Sequence, residues 1–156
     1  MLAFIIITPL MMFLVGSFRT GLIAMIPNMA PIIFSLALMV ILGIPLDAFT
    51  LLVGSIALGL AVDDTIHFMH NYQRFYVELG DATRAVEETL KTTGRALFFT
   101  SLVLVSAFLV NLLATMSNLV NFGILTAFCI LMAFLADVLL APALVTELAR
   151  YKEKRA

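Results

Sequence analysis

AFTLLVGSIALGLAVDDTIHFM, residues 48–69, is an oily run that carries two adjacent carboxylates and an imidazole in its second half. A membrane-spanning helix needs about 20 mainly apolar residues, and this run supplies them. Charge in hydrocarbon is expensive unless it is paired, hydrated or neutralised, so an ionisable side chain within such a segment marks a functional site. The stretch Gly59-Leu60-Ala61-Val62-Asp63-Asp64-Thr65-Ile66-His67 therefore points to a membrane-embedded, all-α fold and at the same time to the first candidate site.

The rest of the composition agrees. The chain has 156 residues, 63% hydrophobic and 12% charged, with a mean hydropathy of +1.13; soluble domains are roughly half apolar and a quarter charged. A net charge of −1 leaves no basic surface for nucleic acid. Cys129 is the one cysteine and lies in an apolar run, so it reads as a small buried residue rather than part of a disulfide framework or thiolate metal site. The opening MLAFIIITPLMMFLVG has no basic leader and no small-residue cleavage site, and it is expected to be a span.

Working outward from residues 48–69, the hydropathy pattern predicts a polytopic membrane helix bundle with five transmembrane helices, at about 1–18, 28–42, 48–69, 96–113 and 119–144. Pro9 falls inside the first, and residues 19–27 read as a connector ending in an Ile26-Pro27-Asn28 turn. Asp47 is placed to cap the third span. Residues 71–94 form the polar segment, with Ala82, Ala85, Val86, Thr89 and Leu90 on one helical face. It is expected to be a cytoplasmic amphipathic helix, with Asp81 as its N-cap and Gly94 as its C-cap. Residues 147–156 form a basic tail. With five spans, all nine Lys and Arg residues fall on one side, and the links 43–47 and 114–118 carry none. The positive-inside rule then puts the polar segment and the C-terminus in the cytoplasm and the N-terminus outside.

On a helix, Asp63, His67 and His70 share one stripe, while Asp64 is rotated by about 100°. Of two adjacent carboxyls in a poor solvent for charge, one can take up and release a proton as its surroundings change, and His67 can relay that proton or pair with Asp63. The other reading is that the two acids are buried polar groups that specify packing; two adjacent acids are an expensive way to make a hydrogen bond, which favours proton handling. His70, followed by Asn71 and Tyr72, reads as an interfacial side chain. Thr100 and Ser101 lie at a comparable depth on the fourth span and are either relay groups or hydroxyls bonded back to their own helix. Asp137 is either part of the relay or a helix-to-helix hydrogen-bonding group. Gly54 and Gly59 are small positions where another helix can approach closely. With two histidines in the whole chain, no metal centre is expected. No Gly-Xaa-Ser-Xaa-Gly or His-Glu-Xaa-Xaa-His pattern is present, so no enzyme is expected and no cofactor beyond protons as coupling ion.

Gly59-Leu-Ala-Val-Asp63-Asp64-Thr-Ile-His67 resembles the Gly-Xaa-Xaa-Xaa-Asp-Asp motif of the resistance-nodulation-division (RND) transporter superfamily, in particular its MMPL-type exporters, which are similar to the Patched and sterol-sensing proteins. Phe18-Arg19, Met25-Ile26-Pro27-Asn28, Gly43-Ile44-Pro45-Leu46-Asp47, Thr93-Gly94-Arg95-Ala96 and Ala136-Asp137 through Pro142-Ala143 follow the family pattern in the same order. The resemblance implies a proton-driven exporter of lipids or other hydrophobic compounds in the bacterial inner membrane, with Asp63 and Asp64 as the relay positions. It implies two six-helix halves, of which this chain is expected to be the last five helices of one, with the other half or another subunit as partner beside the lipid bilayer. The alternatives are a sterol-sensing-like bundle that recognises a lipid without pumping, or a truncated remnant.

Overall fold

The computed structural model describes the backbone of residues 18–153 and the side chains of residues 27–147. Every element among the described residues is helical. In chain order they are α1 (Phe18–Leu42), α2 (Ala48–Leu79) and α3 (Ala82–Thr89), then a π-helical turn at Leu90–Gly94 and α4 (Arg95–Leu109), which closes in a 3-10 turn at Val110–Leu113. There follow α5 (Ser117–Leu135), a second π-helical turn at Ala136–Leu140 and α6 (Ala141–Glu153). The expected first span, 1–18, lies outside the described residues but for Phe18.

Among the described residues three helices are long and apolar enough to cross a membrane, Ala48–Leu79, Ala82–Leu113 and Ser117–Glu147; Pro27–Leu42 is a shorter apolar helix. The ends differ from those predicted. The connector at 19–27 is helical, and both Pro27 and Pro31 sit inside α1. In an apolar setting, breaking the helix would strand far more backbone groups than each proline removes, so the helix continues through them. From α5, Cys129 Sγ lies 3.5 Å from the Pro31 carbonyl.

The polar segment 71–94 is likewise not a helix of its own. Residues 71–79 prolong α2, and residues 82–94 run into α4 without a break. At about 1.5 Å per residue, the 32 residues of α2 reach about 48 Å, well beyond a hydrocarbon core of about 30 Å. The reversal lies instead at Gly80, whose φ of 66° is a left-handed conformation that suits glycine. Asp81 then caps α3 by accepting from the Thr83 and Arg84 amides. Gly94 is not a C-cap: it closes the π turn and the chain stays helical. At the C-terminal end α6 continues to Glu153, so part of the basic tail is helical.

At the other end of α2, Asp47 does cap the helix. Thr50 N donates to Asp47 Oδ1 at 2.8 Å and Asp47 N donates to Thr50 Oγ1 at 2.7 Å, the reciprocal pair of a capping box.

α5 runs through the middle of the bundle and touches α1, α2 and α4. Met39, Val53, Ala57, Leu125 and Cys129 form one apolar core toward the α1–α2 link, and Phe68, Met69, Tyr72, Ala85, Val86, Ala141 and Val145 form another toward the α2–α3 turn. α4 stands at the edge, with only Leu97 and Ser101 buried, and turns Phe98, Phe99, Leu102 and Val103 outward. Such an unbroken apolar face suits lipid.

Candidate functional site

A cleft of about 560 Å³ runs along α2 where the first π turn and α4 lean against it. One end is lined by Leu60 and Leu104, and the other by Asn71, Arg74, Phe75, Thr92 and Thr93. Asp63, Asp64 and His67 lie between. Helical periodicity does this: three of the four residues that follow Val62 point in different directions, and each meets a different neighbour.

Asp63 and His67, one turn apart, face the cleft as a loose pair, Nε2 to Oδ1 3.8 Å, with about two-thirds of each side chain exposed. Asp64 also borders the cleft but is buried, 7% exposed. Thr65 turns fully inward, where its Oγ1 lies 2.7 Å from Asn28 Oδ1 and 2.7 Å from Asp137 Oδ1. Further along α2, Asn71 Nδ2 donates to Thr93 Oγ1 at 2.9 Å and to the His67 carbonyl at 3.2 Å. That amide ties α2 to the π turn and holds the two walls of the cleft together.

The weaker candidates divide. Thr100 lines the cleft, with its hydroxyl bonded back to the Ala96 and Leu97 carbonyls. Ser101 is buried away from it, in a small apolar pocket against Leu131 and Phe134. Asp137 is not on the cleft at all but reaches α2 from the second π turn through Thr65. His70 is exposed. Gly54 and Gly59 have no described neighbour within 4 Å of where a Cβ would stand; close helix approach is found instead at Gly123. Among the described residues no three His, Cys, Asp or Glu side chains gather where they could hold a metal ion.

Thr65, Asn28 and Gly123 went unnoticed in the sequence. Thr65 stands beside the acids and Asn28 follows a proline, which made it look like part of a turn. The available signal was that a polar side chain inside a helical apolar segment requires a partner on another helix.

A family model described as the sterol-sensing domain of SREBP cleavage-activation matches residues 11–156. The chain belongs to the sterol-sensing domain family. It is similar to a membrane protein of Methanocaldococcus jannaschii, 31% identical over 126 residues, which are 81% of this chain and 32% of the relative. It is also similar to protein dispatched homolog 3 of Mus musculus, 28% identical over 88 residues, 56% of this chain and 6% of the relative. The chain thus spans about a third of one relative and a small part of the other. No solved structure matches. The sterol-sensing domain match supports a Patched-like membrane family, coarser than the MMPL type that the acidic motif resembles. It is a multi-pass helical membrane domain of a lipid-related family, and its cleft carries the acidic motif.

Proposed function

We propose that this sterol-sensing domain is the membrane part of a proton-driven exporter of lipids or other hydrophobic compounds, with Asp63, Asp64 and His67 as the groups that take up and pass on the proton. One observation carries the reading: of two adjacent carboxyls at the cleft, Asp63 is open and paired with His67, and Asp64 is enclosed. An open acid with an imidazole beside it exchanges protons readily with water, and an enclosed acid makes each arrival or departure felt by the packing around it. In this reading the rest of the transporter, a second membrane half or another subunit, carries the substrate path. The chain lies in the inner membrane of a bacterial-type cell, with its basic end in the cytoplasm.

The test is transport by the complete protein in vesicles with an imposed proton gradient. Asp63→Asn and Asp64→Asn are expected to abolish gradient-dependent efflux while the protein still inserts. Undiminished efflux from the double variant would overturn the reading.

The family match and the graded lining of the cleft, leucines at one end and Arg74 with Thr92 at the other, favour a second reading. In it the bundle holds an amphiphilic lipid and regulates a partner without pumping. Lipid binding would then persist with no gradient and with both acids replaced by Asn.

A further inference from the structure

Behind the cleft, on the inward side of α2, Asn28, Thr65 and Asp137 bring three helical segments to one point. Thr65 is fully buried, and Asn28 and Asp137 are each 1% exposed. Asp137 Oδ1 lies against the Thr65 hydroxyl, and the other carboxyl oxygen, Oδ2, is buried with no hydrogen-bond partner among the described residues. No ion pair between Asp137 and a Lys, Arg or His side chain is present among the described residues. Asn28 faces it from α1 and Thr65 from α2, and Asp64 on α2 is the charged group whose field reaches it, with the same sign.

Counting hydrogens decides what the cluster holds. A threonine hydroxyl has one hydrogen to give. Both separations, Thr65 to Asn28 Oδ1 and Thr65 to Asp137 Oδ1, are 2.7 Å, the length of an O–H···O bond and shorter than the usual N–H···O bond. Three oxygens in a row at that spacing contain two hydrogens. With the Asn28 amide turned so that Oδ1 faces Thr65, Thr65 supplies one and the carboxyl of Asp137 supplies the other.

We propose that Asp137, Thr65 and Asn28 form a buried proton-holding site, in which protonated Asp137 donates to Thr65 and Thr65 donates to Asn28. When the Asp137 O–H bond breaks and water takes the proton, the carboxylate becomes an acceptor and the Thr65 hydroxyl turns to it. Thr65 Oγ1 and Asn28 Oδ1 then face each other with no hydrogen between them. The tie from α2 to the second π turn survives and this hydrogen bond from α2 to α1 is released, so proton occupancy at Asp137 sets whether Thr65 holds Asn28, while the packing of α1 against α5 remains. This site stands apart from the cleft and does not depend on Asp63 and Asp64 driving transport.

Infrared difference spectra of the full chain in lipid vesicles, between acidic and alkaline buffer, read protonated carboxyls directly. A protonated-carboxyl band is expected that persists in the Asp63→Asn/Asp64→Asn double variant and is lost when Asp137→Asn is added to it. The band keeps its position in Thr65→Ser and shifts in Thr65→Val. The same band surviving in the triple variant, or no such band in the double variant, would overturn the site. For the switch, hydrogen exchange of the α1 amides, corrected for the intrinsic rate, is expected to quicken on deprotonation in the wild type and in Thr65→Ser. In Thr65→Val that dependence on pH disappears. Protection of α1 that does not vary with pH in the wild type would overturn the switch. Neither measurement reads transport, so the outcome is independent of whether the chain pumps.

Discussion

Replacing Thr65 with Val should destabilise the bundle more than replacing Asp63 with Asn, although Asp63 is the charged residue. Thr65 is enclosed and serves two short hydrogen bonds, and its loss leaves buried acceptors unmatched, a cost of about 1–3 kcal/mol. Asp63 makes a 3.8 Å contact with His67 in an open cleft, and such exposed pairs contribute about 0–1 kcal/mol. Unfolding titrations of both variants in lipid bicelles check the order; a larger loss for Asp63→Asn would contradict it. This contrast also marks what could be read from the sequence. Asp63 and Asp64 stand out because charge in an oily run is visible without a structure. Thr65 is as ordinary in composition as Thr100, and only the arrival of Asn28 from α1 and Asp137 from the second π turn distinguishes it.

At the scale of helices, small residues are legible as candidates for close approach, but spacing does not name their partners. Gly54 and Gly59 read as small positions for close helix approach, yet no described neighbour lies within 4 Å of a Cβ at either. At Gly123 a Cβ would stand 2.6 Å from Asn111 Cβ and 2.7 Å from the Phe108 carbonyl oxygen, so α5 lies directly against the end of α4 there. Gly123→Val is expected to push these elements apart and lose about 1–3 kcal/mol. Asn111→Ala should not rescue it, because the obstructing Cβ and the backbone carbonyl both remain. Comparison of Gly123→Val with Gly59→Ala in the same unfolding assay tests this: equal losses would contradict the close crossing at Gly123.

For the molecule as a whole, hydropathy reveals how many oily runs there are but not where the helices stop. A span defined by apolar residues ends at Met69, whereas the helix ends at Leu79. The backbone has no reason to leave the helix where the side chains become polar, and it turns only where Gly80 permits a left-handed residue. The hairpin α2–α3 therefore projects past the apolar layer and holds Glu87, and the link before α5 at the opposite end holds Met116. With the proposed orientation, cysteines placed at Glu87 and at Met116 should react with a membrane-impermeant thiol reagent from opposite faces of sealed vesicles. Cys129, 0% exposed, should stay unlabelled until the protein unfolds. Labelling of both introduced cysteines from one face would refute that orientation.

The turn at Ala136–Leu140 is wound more loosely than the helix on either side, and a π turn accommodates one more residue than the α turn it replaces. Removing a residue from most transmembrane helices rotates everything downstream by about 100°. Here, omitting Leu139, which is 63% exposed, would convert the loose turn into a regular one and leave Ala141 and Val145 facing the core they already face. A shortened chain that still assembles, next to an equivalent deletion at the fully packed Ile130 that does not, would mark this turn as slack within the helix: a place where length can be lost without changing how its two ends are aimed.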